Sequence, residues 1–74
     1  PNPAINTLMI ELTNPTSENV SIYVYDLSGR LVQSTESHTK DSLSVDISKF
    51  AIGNYILKVV GLKSNFVGQF VKTN

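Results

Sequence analysis

Cysteine and tryptophan are absent from this 74-residue chain, histidine and methionine occur once each, and the formal net charge is zero. Each absence removes a class of explanation. Without cysteine no disulfide staples the domain, and one histidine among scattered carboxylates does not assemble an ordinary closed metal site. A chain this short is one domain and buries roughly 60% of its unfolded surface, so its stability is marginal unless it leans on a neighbour. Zero net charge gives no long-range pull toward nucleic acid or anionic lipid. No apolar run approaches the roughly 20 residues of a membrane-spanning helix. The chain begins without Met and shows no basic-plus-apolar signal segment, so it reads as a piece of a longer protein. The lack of cysteine fits an exported bacterial protein but does not prove export, because cytosolic chains also lack disulfides.

What is present is alternation. Pro1-Asn2-Pro3 is an extended opening, because proline fixes its own φ and biases its predecessor toward extended backbone. Over residues 7–12, Leu8, Ile10 and Leu12 share one face and Met9 and Glu11 the other, the period of a half-buried strand. The turn formers of residues 14–19 end it. Residues 20–27 repeat the pattern, with Val20, Ile22 and Val24 against Ser21, Tyr23 and Tyr25. Asp26-Leu27-Ser28-Gly29 then fits a type I turn closed by a glycine bulge. Asp26 accepts a local backbone N–H, and Gly29 takes a positive φ without steric cost. Residues 30–34 return as a strand, and the polar, aperiodic residues 35–41 are expected to be loop. Residues 42–47 alternate through Leu43, Val45 and Ile47. Ser48 caps a single expected helical turn and Gly53 ends it in a left-handed conformation, with Phe50 and Ile52 tucked beneath the edge. Residues 54–60 set Tyr55, Leu57 and Val59 against Ile56, Lys58 and Val60, and residues 65–72 set Phe66, Gly68 and Phe70 against Val67, Gln69 and Val71. The fold class is therefore all-β, a small antiparallel sandwich of six strands, with a seventh sought in the loops.

Chemistry is thin. His38 sits in a polar stretch with no strained nucleophile motif anywhere to serve, so it reads as a solvated side chain. Six carboxylates are spread along the chain. A chain this short has little material for both a core and a two-carboxylate sugar cleft. Asp26, Asp41 and Asp46 lie near strand ends and read as turn formers, with weak calcium binding as the sharper alternative. Tyr23, Tyr25 and Tyr55 either cover the core or form a sugar-stacking platform. The last strand stays apolar almost to its final residue. It is an ordinary strand, or one also read by a partner through edge addition or local release. No catalytic residue, cofactor or metal ligand is assigned.

Four motifs in order resemble one family. They are Pro1-Asn2-Pro3 with Leu8 and Ile10; Val24-Tyr25-Asp26-Leu27-Ser28-Gly29-Arg30-Leu31-Val32; the block from Val45-Asp46-Ile47-Ser48 through Gly53-Asn54-Tyr55 to Val59; and Phe70-Val71-Lys72. Together they span residues 1–74 and are similar to the C-terminal sorting domains of cargo proteins of the Bacteroidetes type IX secretion system. Gln69 departs from the lysine the family often carries before its closing apolar pair.

The resemblance implies an immunoglobulin-like β-sandwich that is an address label and not an enzyme. Its implied partners are an N-terminal cargo domain, the translocon, an outer-membrane shuttle protein and a sortase-like peptidase, with no nucleic acid. The implied route runs through the periplasm to the cell surface or the medium, often with attachment to anionic lipopolysaccharide. Phe70, Val71 and Lys72 are then expected to carry recognition, on a scaffold of Asp26, Gly29, Gly53 and Tyr55. Self-association through an edge strand is a further expectation. The competing readings are a carbohydrate-binding or adhesive sandwich appended to a secreted enzyme, and an inert spacer of fibronectin type III shape.

Overall fold

Strands with apolar residues at every second position bury them when two sheets face each other. The computed structural model describes residues 3–4, 6–11, 18–38, 42–63 and 65–73. The strands are β1 (Pro3–Ala4), β2 (Thr7–Glu11), β3 (Asn19–Asp26), β4 (Leu31–His38), β5 (Ser42–Asp46), β6 (Gly53–Val60) and β7 (Asn65–Lys72). One sheet has the order β1-β7-β6-β3-β4, and the other pairs β2 with β5. All pairs are antiparallel except β1 with β7.

Inward residues of both sheets form one core. Val20, Ile22 and Val24 of β3, Tyr55, Leu57 and Val59 of β6, and Phe70 of β7 pack with Leu8 and Ile10 of β2, Leu43 and Val45 of β5, and Ile47. These are the faces that the period of two marks. The β3–β4 hairpin closes as expected. Gly29 N–H donates to the Asp26 carbonyl at 3.0 Å, Asp26 N–H donates to the Arg30 carbonyl at 2.9 Å, and Gly29 has φ +91°. The pairing slips by one residue between Val24 and Tyr25.

Four expectations need correction. Residues 35–38 are strand, since β4 pairs with β3 as far as Asn19↔His38. Backbone bonds carry that pairing while most β4 side chains are exposed, so no apolar period marks it. Residues 48–50 make one turn closed by the Phe50 N–H on the Ile47 carbonyl at 3.0 Å, and no helix occurs among the described residues. Phe50 does pack on the core, but Ile52 is 63% exposed. The seventh strand is β1, two residues at the start of the chain rather than a piece of a loop. The readings placed on Leu12, on residues 14–17 and on Asp41 lie outside the described residues.

Candidate functional site

The register gathers the sequence-marked residues at one end of the larger sheet. Asp26 pairs with Tyr55, which pairs with Phe70, so three strands contribute to one row. The next row but one is Gly53, Lys72 and Ala4. Tyr55 and Phe70 face inward and stack at 5.4 Å between ring centroids. Phe50 closes the cluster at 5.1 Å from Tyr55 and 6.5 Å from Phe70. The Tyr55 hydroxyl donates to the Ala51 carbonyl at 2.7 Å, which ties the bend before β6 to the aromatic core. Gly53 enters β6 with φ +154°, a backbone angle that side chains with a Cβ rarely adopt.

The closing motif is split by this geometry. Phe70 is in the core, and Lys72, on the same face of β7, is only 5% exposed. Its ammonium donates to the Thr73 carbonyl at 3.3 Å. Val71 is the half-buried member on the opposite face. Phe70, Val71 and Lys72 therefore do not share one exposed side-chain surface in the folded domain. They define how the end of β7 is held.

Asp26 organises the neighbouring hairpin. One carboxylate oxygen accepts the Ser28 N–H at 3.0 Å, the Ser28 hydroxyl at 2.6 Å and the Arg30 N–H at 3.0 Å. The other accepts the Arg30 guanidinium at 3.1 Å. The Ser28 hydroxyl bond, with the backbone donors and Arg30 behind it, holds the Asp26 carboxyl below its usual value of 3.8. Asp46 is lowered in the same way, first by the Ser48 N–H at 3.0 Å. Depressed carboxyl values give stability that is complete at neutral pH and lost as pH falls from about 4 through the folded values. Urea midpoints at about pH 3 and pH 7 should therefore differ, with the acidic one lower. An Asp26→Asn, Asp46→Asn double variant should show a smaller difference. Equal midpoints for the unaltered protein would contradict the assignment.

Sequence reasoning missed Glu18. Its carboxylate accepts the Leu62 N–H at 2.9 Å and the Lys63 N–H at 3.1 Å, bridging from the start of β3 to the β6–β7 turn. Gly61 is required there, because a Cβ would lie 2.8 Å from Val20 Cγ1. The partners are more than forty residues apart, so no local motif announces them.

The remaining candidates disperse. His38 lies on β4, with Nδ1 2.9 Å from Asn19 Oδ1. Tyr23 and Tyr25 are half-buried on the outer face of β3 while Tyr55 is buried on the inner face of the sheet, so the three rings form no common platform. Among the described residues no three His, Cys, Asp or Glu side chains gather at a metal-sized site, and no helix is long and apolar enough to cross a membrane.

A shallow apolar groove of about 180 Å³ runs between β2 and β7. Leu8, Ile10, Leu57, Phe66, Gly68 and Phe70 line it. The Phe66 ring lies over Gly68, where a Cβ would meet it at 2.8 Å.

Residues 1–73 match the family model described as "Secretion system C-terminal sorting domain". No curated protein matches the chain.

Proposed function

Since the chain belongs to the secretion-system C-terminal sorting domains, the label of type IX export, we propose that the folded end of β7 is what the export machinery recognises. Family membership makes the domain part of a secreted protein, attached to a cargo and handed to the type IX apparatus. The finer reading is that the translocon and its outer-membrane shuttle bind this end, and that a sortase-like peptidase then removes the label. The register supports it, because two of the three closing-motif residues pair with scaffold residues, Phe70 with Tyr55 and Lys72 with Gly53, and Val71 lies between them opposite Asn54. Phe70 and Lys72 hold the strand end from inside, and Val71 presents its outer face.

Removing residues 66–74 from the full-length cargo should leave it in the periplasm. That deletion also removes a strand, so Lys72→Gln is the cleaner probe. It keeps an unbranched stem ending in a hydrogen-bond donor, one bond shorter, and removes the charge. Secreted cargo should fall about ten-fold, the equivalent of ~1.4 kcal/mol of lost partner affinity. Protease resistance of the cargo should be unchanged, and Lys72→Arg should restore part of the secretion. Normal secretion of the deleted cargo would overturn the sorting role. Normal secretion of Lys72→Gln alone would remove Lys72 from recognition.

A further inference from the structure

We propose that residues 65–69 of β7 form a docking edge for an extended, uncharged strand supplied by a protein of the export machinery; the inference rests on the sorting role.

The argument starts from an unfilled row. β1 covers only the last two residues of β7, pairing Pro3 with Val71 and Ala4 with Lys72. The Asp26 N–H and carbonyl face β4, so by alternation Tyr25 and Ile56 face each other, Tyr55 and Phe70 face each other, and the backbone groups of Val71 face β1. Alternation then places the backbone groups of Gln69, Val67 and Asn65 on that same edge. No described strand pairs with this edge beyond Val71. The stretch is about 17 Å long, enough for a five-residue strand.

The exposed edges of the sheet are not alike. β4, at the other side, carries Glu36 and His38 among polar, exposed side chains. Such edges resist pairing with a foreign strand. Residues 65–69 contain no charge and no proline, and Val67 is 67% exposed. Beside them lies the apolar groove, with the Phe66 ring seated over Gly68. A strand added to β7 would point every second side chain over that groove. The occupant is therefore an extended segment with small or medium apolar residues at alternate positions and no charges to strand against Leu8 and Phe66. β1 shows that this row accepts a parallel strand, and the proposed partner continues the ladder that β1 begins.

Val67→Pro is the direct test in the full-length cargo. The N–H it removes faces the open edge, and proline is tolerated on edge strands at such positions. Secretion should fall about ten-fold while protease resistance is retained, and Gln69→Pro should behave alike should Val67→Pro fail to fold. Val67→Thr keeps the N–H and the shape and should secrete normally. Equal loss in Val67→Thr would show that a side chain is read and would overturn backbone pairing. If Val67→Pro secretes normally while the cargo lacking residues 66–74 stays in the periplasm, the docking edge is wrong and the sorting role stands. Two further results would overturn it by naming another occupant. One is slow amide exchange of Val67 in the free cargo, meaning that the cargo's own chain covers the edge. The other is a cargo dimer that Val67→Pro converts to monomer.

Discussion

Phe70→Ala should be the most destabilising single change at the closing motif, costing about 3–5 kcal/mol. The ring is 1% exposed and stacks on Tyr55, with Phe50 behind it. Truncation removes both contacts and leaves a cavity beside a groove that already reaches the core. A domain of this size holds roughly 4–11 kcal/mol in total, so the loss takes a large part of it. The melting temperature should drop by about 15–30 °C, and urea unfolding should shift to match. Phe70→Leu keeps most of the volume and should lose less than half as much. A drop of only a few degrees in Phe70→Ala would show that the aromatic cluster does not hold β7. In the cell the variant cargo should be degraded in the periplasm, which separates it from Lys72→Gln, where the cargo stays intact and its secretion falls.

Gly53→Val should follow, with a cost of about 1–3 kcal/mol and a melting temperature lower by roughly 5–15 °C. The cause is backbone strain alone. A Cβ at Gly53 meets nothing within 4 Å, so no clash contributes. The strain comes from φ +154°, where a β-branched residue is least tolerated. Gly53→Ala should lie between the two. If Gly53 relaxes to an ordinary φ in the variant with no loss of stability, the angle is not required by the fold. Because Gly53 faces Lys72 across the ladder, relaxation there moves the end of β7, and secretion should fall with stability.

How much of this was legible beforehand follows from where each interaction begins and ends along the chain. The inward faces of β3, β6 and β7 could be read because alternation is local and each strand has one buried face. The Asp26 turn could be read because its donors lie within four residues. β4 past Ser34 could not, because it is held in register opposite Asn19, Val20, Ser21 and Ile22, and its exposed face carries no apolar signal. The helical turn at Ser48 misled because a capping pattern scores the same whether or not a helix follows; here Asp46 takes the Ser48 N–H and the chain turns once. The closing motif was visible as a motif and alternation put Phe70 and Val71 on opposite faces, but the burial of the charged Lys72 was not signalled by its residue type.

Sequence alone determined that the chain is all-β, stapled by no disulfide, and built around one row of inward aliphatic and aromatic residues, since period and composition are properties of neighbours. Only the tertiary structure decided that β1 caps β7 in parallel, that Lys72 is drawn inward beside Phe70, and that Glu18 holds the β6–β7 turn. The first and the last of those contacts join residues 44 or more positions apart, and pairing between distant strands is selected by the packing of the whole core rather than by any local stretch of chain.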